Sequence, residues 1–148
     1  KKATDYDEAW TVPSVPLSAL KSNHIKYSLD GNKKFKASLL FGAGPNAGNF
    51  GAPTGSMQRT KNLRAIKDYS FFKEAVKCAL RAKFDAGIAD GVTLFVVDKT
   101  STGIYAGLHK NKMKNDYQKL VQDVLDEQVG PKGEKRWEYI DNAVIGDI

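Results

Sequence analysis

Ser70-Phe71-Phe72-Lys73-Glu74-Ala75-Val76-Lys77-Cys78-Ala79-Leu80-Arg81-Ala82-Lys83-Phe84-Asp85 decides the fold. Phe72, Val76, Leu80 and Phe84 recur every four residues, with Phe71, Ala75 and Ala79 beside them, which is the apolar stripe of a helix lying on a sheet. Asp68 or Ser70 is placed to cap its start and Gly87 to end it. Lys73, Lys77 and Arg81 fall at i, i+4 and i+8 on the opposite side, a row of cations pointing away from the core. Residues 92–97 follow as a nearly continuous apolar run, the signature of a central strand.

Upstream, Arg59, Lys61, Arg64 and Lys67 extend the basic row. From Met57 to Lys83 there are eight Lys/Arg against Asp68 and Glu74, a surplus of six that equals the net charge of the whole 148-residue chain. Lys26, Lys34 and Lys36 add a second basic surface. From Phe84 to Ile148 the balance reverses, with eight Lys/Arg against 11 acids, so charge is polarised along the chain. A hydrophobic fraction of 41% with 15 aromatic residues describes a folded protein of a size that buries a core without staples. The single cysteine, Cys78, excludes an internal disulfide and a cysteine-rich zinc site, and points to a reducing intracellular compartment. No apolar run approaches the roughly 18 residues of a membrane span. The chain begins at Lys1 without methionine, which the reading takes as a removed leader or an excised piece.

Residues 1–22 read as an extended arm. Asp5, Asp7 and Glu8 make its start acidic, Pro13 and Pro16 favour extended backbone, and Trp10 leads a set of apolar anchors without helical period. The arm either drapes over its own domain or reaches a neighbouring subunit. His24 to Phe41 reads as a hairpin turning at Asp30-Gly31-Asn32. Residues 42–56 form a glycine-rich loop whose spacing fits neither the dinucleotide fingerprint nor a P-loop, so no cofactor is expected. Val92–Asp98 and Ile104–Lys110 read as a second hairpin. Tyr117, Leu120, Val121, Val124 and Leu125 then define a second helix, capped by Asn115 or Asp116, closed by Gly130-Pro131 and acidic outside through Asp123, Asp126 and Glu127. The expected fold is α+β: an antiparallel sheet of two hairpins with two amphipathic helices packed on it, in the order ββαββα, plus the extended N-terminal arm. Residues 23–130 make its single domain and 131–148 a C-terminal tail.

Chemistry is sparse. His24 and His109, with Tyr105 and Lys26 or Lys110, would make the acid, base and phosphate-stabilising set of a metal-independent ribonuclease if their strands were neighbours. No carboxylate or histidine cluster has metal-ligand spacing. Cys78, at the edge of the first helix, reads as a small hydrophobe. The expected function is therefore non-enzymatic: Lys26, Lys34, Lys36, Arg59, Lys61, Arg64, Lys73, Lys77, Arg81 and Trp10 meet acidic protein neighbours in a larger assembly. The alternative is that the same cations contact nucleic-acid phosphates while Tyr27, Phe35 or Phe50 stack on bases, including the ribonuclease of the secreted-toxin kind.

One pattern bears on that choice. Arg59-Thr60-Lys61-Asn62, then Ile66, Tyr69 and Phe72, then a glycine-ended helix and a Val-rich strand, resembles the small linker domain of phycobilisomes over residues 35–97. It departs from the family in carrying Asp68 where proline is favoured and in separating Gly87 from Gly91, and the long hairpin and second helix lie outside the pattern. The resemblance implies a basic, non-enzymatic linker seated among acidic phycobiliproteins in a plastid, with import explaining the missing methionine.

Overall fold

The computed structural model describes residues 2–16, 36–42, 44–48, 65–91, 94–140 and 142–146. They contain four strands and two long helices: β1 (Ala9–Pro16), β2 (Lys36–Gly42), α1 (Tyr69–Ala89), β3 (Leu94–Asp98), α2 (Lys110–Leu125) and β4 (Asn142–Gly146). Short 3-10 turns cover Ala3–Asp5, Ile104–His109 and Arg136–Tyr139. The strands form one mixed sheet in the order β1-β2-β3-β4. β1 pairs antiparallel with β2, whereas β2 with β3 and β3 with β4 are parallel.

This corrects the expected antiparallel ββαββα sheet of two hairpins. The element order is ββαβαβ, and parallel strands require a crossover on the sheet face, supplied first by α1 and then by α2. The second hairpin is replaced because Ile104–His109 coils into 3-10 turns kinked at Gly107. Gly107 sits there at φ 52°, ψ −125°, a conformation closed to a strand residue, and a Cβ on it would overlap the Ala47 carbonyl. His109, the cap position, and Met113 are buried four residues apart, and α2 begins five residues before the expected Asn115 cap. The first hairpin's opening strand and turn lie outside the described residues. β2 takes instead, as its antiparallel partner, part of the stretch read as an arm. Pro13 lies between Val12 and Val15, where the register shifts, as expected for a residue without an N–H at the bulge of an edge strand.

Asp68 caps α1, its Oδ1 accepting from the Phe71 N–H at 2.7 Å. The helix then runs past Gly87 to Ala89. Gly87 is needed for close approach rather than for termination: a Cβ there would stand 2.7 Å from the Phe95 ring and 3.1 Å from Leu40. Phe72, Val76, Leu80 and Phe84 are fully buried, as their spacing predicts, and pack with Leu40, Phe95 and Val97. On β2, Leu40 faces the helices while Phe41 turns to the other side. Thr11, paired with Leu40, is on the helix side too and its hydroxyl donates to Asp90 beyond the end of α1. Trp10 and Phe41, directly opposite each other, occupy the helix-free face and are 58% and 42% exposed.

The loops that follow β2 and β3 are tied together at the carboxyl edge of the parallel strands. Ser101, in left-handed backbone at φ 57°, donates its hydroxyl to the Pro45 carbonyl at 2.6 Å, and the Ala47 N–H donates to the Tyr105 carbonyl at 2.7 Å. No helix among the described residues is long and apolar enough to cross a membrane.

Candidate interaction surface

α1 and α2 run side by side in the same direction. Tyr69 at the head of α1 donates its hydroxyl to Asp116 at 2.5 Å, and Arg81, three turns on, meets Glu127 at 2.8 Å just past α2. The cationic stripe of α1 therefore lies along the seam with α2, and its members differ in environment. Lys73 stands over the Tyr69 ring, 5.0 Å from its centroid, opposite Lys112 of α2 at 5.2 Å. Lys77, whose side chain is 19% exposed, has Glu74 at 3.9 Å. The Arg81 Nε–H is shared between the two carboxylate oxygens of Glu127, at 2.8 and 2.9 Å.

A groove of about 270 Å³ follows this seam. Lys73, Glu74 and Lys77 line one wall, Asp116, Lys119 and Asp123 the other, and Leu120 contributes the apolar floor. Burial, then the bond to Asp116, pushes the Tyr69 hydroxyl pKa well above the ordinary phenolic value, so Tyr69 stays a neutral donor.

The two ends of the helical layer differ in charge: the head is cationic, whereas the foot pairs two guanidinium groups with two carboxylates. At the head, Lys67, Lys110, Lys112 and Lys114 are exposed, and neither helix has an acid in its first turn. At the foot, Glu127 accepts from Arg81 and from Arg136 at 2.6 Å, while Arg136, its side chain 5% exposed, also bonds Asp85 at 2.9 Å and the Val124 carbonyl. Burial alone would raise Glu127, but the two guanidinium groups outweigh it and hold the carboxyl below its ordinary value. Burial disfavours the Arg136 charge, and its two carboxylates more than restore it. This foot cluster is structural: it fastens the segment after α2 to both helices.

Other candidate residues fall in different places. Lys26, Lys34, Arg59, Lys61, Arg64 and His24 lie outside the described residues, as do the stacking candidates Tyr27, Phe35 and Phe50. Lys36 is the first residue of β2. Trp10 is exposed on β1, and Tyr105 is 45% exposed on the 3-10 turn. His109 is 3% exposed, its ring between Tyr69 and Phe72, with Nε2 3.1 Å from the Ile66 carbonyl. The Cys78 thiol is pushed up by burial and donates to the Thr4 carbonyl at 3.6 Å. Among the described residues no group of His, Cys, Asp and Glu is arranged to hold a metal ion.

Sequence reasoning missed Lys83, Asp116 and Arg136. Lys83 is fully buried, its Nζ 2.8 Å from Asp98 and 2.6 Å from Thr100 Oγ1 at the end of β3. A signal existed: Phe72, Val76, Ala79, Lys83 and Gly87 share one stripe of α1, so Lys83 stands on the core face. No comparable signal marks Asp116 and Arg136, whose partners come from another helix. No family model, curated protein or solved structure matches this chain.

Proposed function

We propose that this chain is a non-enzymatic, basic scaffold or linker subunit that binds acidic protein neighbours within a larger assembly. The observation that carries the reading is the cationic head of the helical layer. Lys110 and Lys112 stand in the first turn of α2, which contains no acid, and Lys67 is exposed beside Asp68, the cap of α1. Cations at helix N-termini oppose the helix dipole at about 0.3–1 kcal/mol each, a cost that is reversed when anionic groups come to the same place. Residues 17–35 and 49–64 add seven Lys/Arg against Asp30 alone, a surplus equal to the whole net charge of +6. The resemblance of residues 35–97 to phycobilisome linkers supports a light-harvesting form of such an assembly.

The test is the native particle. Isolated from its source at low ionic strength, the protein is expected to travel with acidic proteins and to part from them as salt rises from about 0.05 to 0.5 M, where the Debye length falls below the spacing of exposed charges. Elution as a lone chain at low salt would overturn the reading.

A second reading has one observation in its favour. Trp10 and Phe41 form an exposed cross-strand aromatic pair on the helix-free sheet face, which also suits stacking of unpaired bases. Under it, labelled oligo(dT) binds the chain and Trp10→Ala with Phe41→Ala weakens that binding; retention of acidic proteins by the same double variant would speak for the scaffold.

A further inference from the structure

We propose that Leu108 is the apolar anchor of the cationic head, and that the acidic neighbour receives it in an apolar pocket rimmed by carboxylates. The proposal rests on the scaffold reading and deepens it by naming the contact. Leu108 is 65% exposed, the most open large apolar side chain among the described residues, and Tyr105, three positions earlier, is 45% exposed. From Lys99 to Asn115 the chain has four lysines and no acid. All four, Lys99, Lys110, Lys112 and Lys114, are exposed, and none forms an ion pair among the described residues. In the seam between the helices acids and lysines balance. This segment carries one sign only, so it selects an anionic partner.

The anchor is held outward by its neighbours. Ala106 and His109 are buried on either side of it, the His109 ring lying between Tyr69 and Phe72. Gly107, at φ 52°, leaves no room for a Cβ beside Ala47, whose N–H donates to the Tyr105 carbonyl. Turning Leu108 inward would break those contacts, so little freedom is lost when a partner covers it. Its chemistry also separates the occupants. An unpaired nucleic-acid strand binds through phosphate contacts and stacking on flat rings; Tyr105 offers a ring and Leu108 does not. A bilayer holds a protein stably when a whole acyl chain is inserted beside a basic patch, and one leucine with a half-exposed tyrosine falls short of that. A second copy of this chain would bring like charge to a contact between two such heads. A protein pocket encloses a single leucine fully, and carboxylates on its rim meet the lysines.

The experiment dissociates the native particle at about 0.5 M salt and reassembles its acidic proteins at low salt on the full chain, unaltered or carrying Leu108→Ser, Leu108→Met or Lys110→Gln/Lys112→Gln/Lys114→Gln. Leu108→Ser is expected to weaken reassembly about tenfold, the worth of burying one leucine side chain, with the salt dependence keeping the slope of the unaltered chain. Leu108→Met is expected to restore binding. The triple Gln variant is expected to flatten that slope instead, because rim charges set the dependence on salt. A photoreactive leucine analogue at position 108 is expected to cross-link to an acidic protein of the particle, and it decides the matter if Leu108→Ser lowers the unfolding temperature. Undiminished reassembly with Leu108→Ser, cross-links only to a second copy of this chain, an equal loss of oligo(dT) binding in that variant, or Leu108-dependent binding to phosphatidylserine vesicles without loss of the acidic proteins overturns the anchor. If the unaltered chain retains no acidic protein, the scaffold reading falls first; if it and Leu108→Ser retain them equally, only the anchor falls.

Discussion

Lys83 and Asp98 make an ion pair in which the two partners have unequal surroundings. The lysine side chain is 1% exposed and the aspartate 49%. Removing Asp98 leaves a buried ammonium with Thr100 alone, whereas removing Lys83 leaves a carboxylate that water can reach. Asp98→Ala is therefore expected to destabilise by about 3–5 kcal/mol, and Lys83→Met by about 1 kcal/mol or less because its chain refills an apolar site. Urea unfolding of the two variants checks this, and the opposite order would refute it. The residue scale also shows where reading by spacing stops. Burial of Lys83 was legible in the stripe it shares with Phe72 and Val76, because the helix itself places those positions on one face. Burial of His109 was not, since the rings and carbonyl that enclose it belong to Tyr69, Phe72 and Ile66, some 40 positions earlier in the chain.

Among the elements, α1 is the most legible: of the two caps its sequence offers, Asp68 and Ser70, the structure uses Asp68, and the buried stripe follows the spacing, because capping and periodicity are local properties of a helix. Its end was misplaced because Gly87 serves contact with Phe95, a tertiary requirement. The start of α2 was misplaced for a related reason, the alternation in residues 104–108 being short enough to suit a strand or a turn. What binds these elements is the cluster of Arg81, Glu127, Arg136 and Asp85, which yields a pH prediction. Glu127 is held below its ordinary value of 4.5, so its contribution to stability is fully present above that value and is lost as pH falls through the lower folded one. The urea midpoint is expected to drop on this acid limb, and Glu127→Gln is expected to flatten the limb while lowering the midpoint at neutral pH. A limb unchanged by Glu127→Gln would place the titration elsewhere.

For the whole molecule, the main revision is that residues 9–16 belong to the sheet. β1 pairs with β2 along most of its length, so a chain lacking residues 1–16 is expected to lose thermal stability together with partner binding. Trp10→Ala, at a position 58% exposed, is expected to leave the unfolding temperature within a few degrees. Differential scanning calorimetry of the truncated chain and the point variant separates folding from assembly; equal losses in both would show Trp10 to be structural. The amino-acid sequence by itself determined the amphipathic helix, the buried Val-rich strand and the concentration of positive charge, because these depend on composition and on neighbours within a few positions. Only the tertiary structure decided that the sheet is mixed, that β1 lies beside β2, and that Lys73, Lys77 and Arg81 line a seam instead of an open face. The physical reason is that strand partners and the second wall of a groove are chosen by competition among distant segments for the same backbone hydrogen bonds and apolar surface, and no local pattern records the winner.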